Sequence, residues 1–271
     1  MADRSEAGGL SRRNTVQAVE RALDILSVLA ETGGDGISVS ELAGKVDLKL
    51  STTHRLLQTM MKKLFVDKDP RTGFYKIGSR TMGLGNSAMR SLDLRSVARP
   101  LLEELTSKTG ETTNLAILDR GEVVYIDQIE STNMIIVKMF AKPGSRGPAY
   151  CTGSGKVLLA YLPSDEQKEI IKNIKFVKFT PETIDSPDHL YKELSRVCEE
   201  GYALDLGERD EGVRCVAAPV RSYDGKVEAA VSLSGPAMRL TNYYMNHELI
   251  GLVKDTAEKI SGLLGYHPAG V

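Results

Sequence analysis

At Leu64 the spacing of apolar residues changes from every third or fourth position to every second, and few folds accept that switch within one short segment. Upstream, Val19, Leu23, Leu26 and Ala30 recur at helical spacing, with Ala22, Ile25 and Leu29 beside them, until Gly33-Gly34 stops the helix. Ser40 then stands as a capping hydroxyl before Glu41, Leu42, Ala43 and Val46, which predicts a second, short helix. Asp47-Leu48-Lys49 has room only for a tight turn. A third helix opens at Leu50-Ser51, where Leu50, Leu57 and Leu64 lie a heptad apart and Thr53, Leu56 and Met60 fill the same stripe. Downstream, Phe65-Val66-Asp67-Lys68 and Phe74-Tyr75-Lys76-Ile77 flank Asp69-Pro70-Arg71-Thr72-Gly73, the residue types of a hairpin. Helix, helix, turn, helix and hairpin in that order predict a winged helix-turn-helix over residues 14–78.

Residues 79–92 predict a connecting helix weakened by Gly83 and Gly85. From 93 to 265 the pattern mixes both periods. Helices are expected at Leu94 to Lys108, Gly155 to Leu162, Glu166 to Ile174, Pro187 to Gly201 and Tyr243 to Leu264. Strands are expected at Thr113 to Leu118, Val123 to Ile129, Ile135 to Phe140, Val216 to Val220 and Lys226 to Ser234. Short turns between these strands favour antiparallel neighbours, so the class is α+β.

Charge separates the two parts. The chain of 271 residues has a formal net charge of −1, yet Lys49 to Arg80 carries eight basic residues against two acidic ones. A cationic block on an otherwise acidic chain suits a small polyanion-binding module joined to a second, sensing module. No apolar run is long enough to span a bilayer, and Met1 to Asn14 lacks the apolar middle of a signal peptide, so no membrane partner and a cytoplasmic location are expected. Three cysteines at wide spacing, Cys151, Cys198 and Cys215, predict free thiols rather than a disulfide framework or a zinc module.

In a helix-turn-helix the second helix of the motif lies in the major groove with its first residues on base edges. Here that is Leu50 to Gln58. Arg55 and Gln58 are the candidate base readers, Ser51 and Thr52 small donors to base or phosphate, and His54 lies on the outward side. Lys49, Lys62, Lys68, Arg71 and Lys76 are placed to neutralise phosphate, adding affinity without sequence information. In the second half, Gly153-Ser154-Gly155 opens a helix and presents backbone N–H groups as an anion cradle. Ser232 and Ser234 alternate on one strand face.

These residues resemble the IclR-type bacterial transcriptional regulators from Val16 to Gly265. The resemblance is carried by Val-Gln-Ala-Val-Glu-Arg-Ala-Leu-Asp-Ile-Leu at 16–26, Leu-Ser-Thr-Thr-His-Arg-Leu-Leu from Leu50, and the wing Phe-Val-Asp-Lys-Asp-Pro-Arg-Thr-Gly-Phe-Tyr-Lys-Ile-Gly. Further on, Gly-Ser-Gly-Lys at 153–156, Thr-Pro-Glu-Thr-Ile at 180–184 and Glu-Gly-Tyr-Ala-Leu-Asp at 200–205 are similar too. So are Gly-Val-Arg-Cys-Val-Ala-Ala-Pro-Val at 212–220 and Ser-Leu-Ser-Gly-Pro at 232–236. The resemblance implies a GAF-like effector-binding domain over 93–265, a homodimer or tetramer on palindromic operator DNA, and control by a small metabolite. It also implies that Gly153, Ser154, Asp205, Cys215, Ser232 and Ser234 line an effector pocket with Met139 on its apolar wall. N–H groups and hydroxyls suit a small organic acid, beside which Asp205 would touch a hydroxyl or carry a proton. Cys151 stands where relatives often have His or another polar residue, which opens a route to soft-metal or oxidant sensing with Cys215; free buried cysteine more often serves as a small hydrophobe.

Other chemistry lacks parts. Gly153-Ser154-Gly155-Lys156 has Tyr150 where a phosphate loop needs glycine and Val157 where it needs Ser or Thr. His54, His189, His247 and His267 are scattered, and no metal site or cofactor is expected. Asp205, Glu208 and Asp210 read as a solvated acidic loop, with paired catalytic carboxylates as the alternative. An enzyme acting on a small acid, carrying an accessory nucleic-acid-binding domain, is the second class that the sequence allows.

Overall fold

The structure, a computed structural model, describes residues 16–91, 93–133 and 142–267. The strand expected at 135–140, and Met139 with it, lies outside the described residues. The chain divides into two compact units, one running to Ser91 and the other beyond it. Among the described residues no helix is long and apolar enough to cross a membrane.

In the first unit α1 (Gln17–Glu31), α2 (Val39–Lys45) and α3 (Leu50–Lys62) are followed by the hairpin β1 (Val66–Lys68) and β2 (Tyr75–Ile77), then by α4 (Arg80–Ser91). Ser38, not Ser40, caps α2, its hydroxyl accepting from Glu41 N–H at 3.2 Å. The reason is spacing: an N-cap oxygen reaches the N–H three residues on, and Ser40 is already inside the helix. Asp47 has φ +48°, the left-handed turn that lets α3 cross α2. The buried stripe of α3 is Thr53, Leu57 and Met60, while Leu50 and Leu64 stay about half exposed, so the expected heptad fails at both ends. Leu64 fails because the helix has already stopped and its φ is +63°. On α1 the inward residues are Ile25 and Leu29, whereas Val19 and Leu23 face outward. A helical face is chosen by what packs on it, here Ile37, Leu42, Leu57 and Tyr75. Asp69 Oδ1 accepts from Arg71 and Thr72 N–H and Gly73 takes φ +73°, closing the hairpin tip.

The second unit is built on a six-stranded antiparallel sheet in the order β5-β4-β3-β8-β7-β6. Its elements are α5 (Leu94–Thr109), β3 (Thr112–Asp119), β4 (Glu122–Ile129), β5 (Arg146–Pro148), α6 (Gly153–Ala160), α7 (Ser164–Asn173) and α8 (Pro187–Glu200). After these come β6 (Ala203–Asp205), β7 (Val213–Arg221) and β8 (Val227–Pro236). The last expected helix is α9 (Asn242–Tyr244), a π-turn at Met245–Leu249, and α10 (Ile250–Leu263). Alternation sorts the sheet's faces. Leu115, Val216, Ala218, Val231 and Leu233 pack with α5 and α10, while Ala116, Ala217 and Ala230 pack with α6 and α8.

Candidate nucleic-acid interface and effector cavity

On α3 the stripe that packs inward leaves the opposite face in water. Lys49, Ser51, His54, Arg55, Gln58 and Lys62 are exposed, and Thr52 is half-buried. Thr53 is fully buried and its hydroxyl donates to Lys49 O at 3.3 Å, so it shapes the helix start instead of reaching outward. On the hairpin, Lys68 and Arg71 are exposed and Lys76 is half-buried. The Lys68 ammonium lies 5.2 Å from the Tyr75 ring centroid, which steers it along the wing. Among the described residues no carboxylate pairs with Lys49, Arg55, Lys62 or Lys76, and Arg71 meets only Asp69 at 4.0 Å while remaining 90% exposed. Positive charge that is not neutralised within the protein is available to phosphate.

In the second unit a small, partly open cavity of about 50 Å³ is lined by Tyr125, Thr152, Gly153, Asp205, Arg209, Cys215 and Ser234, among others. Each wall follows from the fold. Gly153 is the first residue of α6, capped by Thr152, whose hydroxyl accepts from Gly155 N–H at 3.2 Å. That cap takes one of the N–H groups of the expected cradle, and those of Gly153 and Ser154 have no acceptor among the described residues. A side chain at Gly155 would run into the Ala149 backbone, so that glycine is dictated by close approach, while one at Gly153 would crowd Cys215 Sγ at 3.1 Å. Cys215 pairs across to Asp205 on β6 and to Ser234 on β8, which brings these three residues to one place on the sheet. Burial raises the proton affinity of the Cys215 thiol, and the Ser234 and Ser232 hydroxyls both act on it to pull that affinity down.

Of the remaining expected pocket residues, Ser154 is buried with its Oγ unpartnered and Ser232 is buried behind Cys215, receiving Asn114 Nδ2 at 3.4 Å. Neither lines the cavity directly. Burial pushes the Cys215 and Cys151 thiols each up to about 12, so both are neutral at physiological pH and poor nucleophiles or metal ligands. Among the described residues no three His, Cys, Asp or Glu side chains are grouped to hold a metal ion.

The acidic run is not a solvated loop. Asp205 and Glu208 are buried, and Asp205 Oδ1 accepts from Gly207 and Glu208 N–H at 3.1 and 2.7 Å. Burial raises the Asp205 carboxyl above its ordinary range, against the pull of Lys156. Lys156, the residue that made a partial match to a phosphate loop, is wholly buried and forms ion pairs with Glu208 and, at 3.2 Å, with Glu193 of α8. The run was misread because its partner sits 52 residues away in the chain. Sequence reasoning also passed over Tyr125, Thr152 and Arg209. Thr152 had a readable signal, a capping hydroxyl immediately before Gly-Ser-Gly; Tyr125 alternates with Val123 on β4 and only the pairing of β4 shows which face it occupies. Arg209 packs 4.0 Å over Phe179 and contacts Asp210 at 3.9 Å, so its guanidinium is held at the cavity wall.

A helix-turn-helix with a wing, followed by a sheet domain holding a small cavity with several polar groups in its lining, defines the class of DNA-binding transcription regulators. Residues 18–70 match the IclR helix-turn-helix domain and residues 86–262 match the C-terminal domain of the bacterial transcriptional regulator IclR, so the chain belongs to the IclR family. It is 40% identical over 254 residues to the HTH-type transcriptional repressor AllR of Salmonella typhi, covering 93% of this chain and 91% of that protein. It is 36% identical over 256 residues to the HTH-type transcriptional regulator XynR of Escherichia coli, covering 93% and 98%. Among solved structures, the Agobacterium tumefaciens repressor BlcR superposes with a TM-score of 0.77 at 28% identity, covering 94% of this chain and 99% of that one. These relatives are transcription regulators, so the chain is a DNA-binding regulator and not an enzyme.

Proposed function

We propose that this chain regulates transcription from a palindromic operator as a homodimer or dimer pair in the cytoplasm, and that a small carboxylate in the second unit controls its affinity for DNA. The observation that carries the reading is the small cavity of about 50 Å³ whose lining brings together a cation, a hydroxyl, the start of α6 and a buried carboxyl. Space of that size holds a handful of heavy atoms, which favours an acid of about two to four carbons. Arg209, the Gly153 N–H and the Ser234 hydroxyl are the donors for the ligand carboxylate. Asp205, raised by burial, would meet a ligand hydroxyl or share a proton, because two bare carboxylates at contact repel. Arg55 and Gln58 read bases while Lys49, Lys62, Lys68, Arg71 and Lys76 hold phosphates, with Ser51, Thr52 and His54 between them. Ligand binding shifts the populations of dimer arrangements and so the spacing of the two recognition helices.

The test is a thermal-shift and calorimetric screen of two- to four-carbon acids, followed by Ser234→Ala on the best ligand. That variant should weaken the ligand by about 0.5–1.5 kcal/mol while leaving operator affinity without ligand unchanged. Unchanged ligand affinity in Ser234→Ala, or tight binding of an acid too large for the cavity, would remove the assignment.

A further inference from the structure

Strand β6 covers only the first part of β7, pairing Ala203–Asp205 with Cys215–Ala217. Beyond it, among the described residues, no strand pairs with that side of β7 at Ala218, Pro219 and Arg221, which lie beside residues of α10 and Tyr161 after α6. Open strand edges ordinarily invite another strand, but Pro219 has no N–H to give one. What the fold leaves there instead is a cleft of about 380 Å³, far larger than the effector cavity and within the range of small-molecule sites.

Its floor is carbon, from Ala218, Pro219 and Ala257, and its sides are the rings of Tyr161 and Tyr266. Two cations stand at it, and both are held in place. The Arg221 guanidinium lies 4.6 Å from the Tyr161 ring centroid and 5.8 Å from that of Tyr266, while its Nη1 donates to Gly225 O at 2.9 Å. The backbone N–H of Arg221 is pinned to Ser261 Oγ of α10 at 2.9 Å. Lys254 Nζ donates to Glu200 O at 2.9 Å. A guanidinium carries more donors than these contacts use, and its fixed plane lowers the entropy cost of gripping a second flat group. The acid on the lining, Glu258, carries charge of the opposite sign to both cations and of the same sign as an anion.

We propose that this cleft is a second ligand site, separate from the effector cavity, that takes a planar aromatic carboxylate with its ring against the apolar floor beside the tyrosines and its carboxylate on Arg221 and Lys254. Aromatic faces and a flat apolar floor select a ring, the paired cations select an anion, and the missing N–H at Pro219 disfavours an extended peptide. The site stands whether or not the small-acid reading of the inner cavity holds.

Benzoate is the probe, titrated into the full-length protein by calorimetry and by ligand-observed NMR, with cyclohexanecarboxylate and benzamide beside it. Benzoate should bind saturably, and the puckered acid and the neutral amide should each bind at least several-fold more weakly. Tyr266→Ala, near the end of the described chain, and Lys254→Gln should each weaken benzoate several-fold to about tenfold. Glu258→Gln should tighten it, a gain that simple loss of packing would not produce. Ser234→Ala should leave benzoate binding untouched. Absence of saturable binding, loss of binding in Ser234→Ala with retention in Tyr266→Ala, or equal affinity for cyclohexanecarboxylate would each overturn the proposal.

Discussion

The two units place their working groups on opposite sides of the water boundary. In the winged helix-turn-helix, Lys49, Arg55 and Lys62 stand exposed and without acidic partners among the described residues, and the core beneath them is purely structural. In the second unit, Asp205, Cys215 and Ser234 are each less than 10% exposed, and Lys156 is sealed under two glutamates. A polyanion is recognised by charges that remain in water, at long range and with strong salt dependence. A small molecule is recognised by groups already removed from water, where burial moves their protonation and a single hydroxyl decides fit. The difference teaches that counting charges along a chain finds the first kind of site and conceals the second.

The comparison can be broken at its most buried point. Lys156→Met leaves Glu193 and Glu208 without their cation and should cost the second unit about 3–5 kcal/mol in urea unfolding. A loss below about 1 kcal/mol would mean that these charges are not sealed from solvent. The same group sets a pH signature. Burial raises Glu208 from an ordinary 4.5 to about 7, so the folded protein holds this proton more tightly than the unfolded chain does. Stability should therefore fall as pH rises from about 4.5 through about 7, and Glu208→Gln, which keeps the neutral shape, should flatten that fall. An identical pH profile in parent and variant would assign the titration elsewhere.

On the exposed side the effects are smaller and of a different kind. Arg55→Ala should cost about 1–3 kcal/mol on operator DNA and relax sequence preference in a binding-site selection. Lys68→Ala should weaken operator and random DNA alike and reduce the slope of log affinity against log salt by about one. If Arg55→Ala changed the salt slope alone and Lys68→Ala changed the base preference, the division between reader and phosphate anchor would be reversed. Neither substitution should alter stability by more than about 0.5 kcal/mol, since both side chains stand in water.

Much of this architecture is legible in one dimension, and the failures have a pattern. Period, capping and turn chemistry act between residues a few positions apart, so the three helices, the Asp69 to Gly73 hairpin and the alternation of Ser232 with Ser234 were all readable. Which side of α1 faces inward was not, because Ile25 and Leu23 are equally apolar and only Ile37, Leu42 and Leu57 choose between them. The cap of α2 reads as Ser40 and falls on Ser38, because a two-residue shift of a helix boundary is within the play of local signals. The inner cavity was half legible. Gly153, Asp205, Cys215 and Ser234 came through resemblance, whereas Arg209 and Tyr125 enter only once β4, β7 and the segment after β6 are set side by side.

By itself the chain of residues determined most of the local elements of both units and the cationic face of α3 and its wing. Tertiary structure alone decided that an acidic run would be buried, that Lys156 would be its counter-ion, and that two thiols would be neutral. The physical reason is range. Helices, turns and exposed charges depend mostly on sequence neighbours and water, which the sequence itself supplies; burial and proton affinity depend on groups such as Lys156 and Glu208, 52 residues apart, which only the folded structure brings into contact.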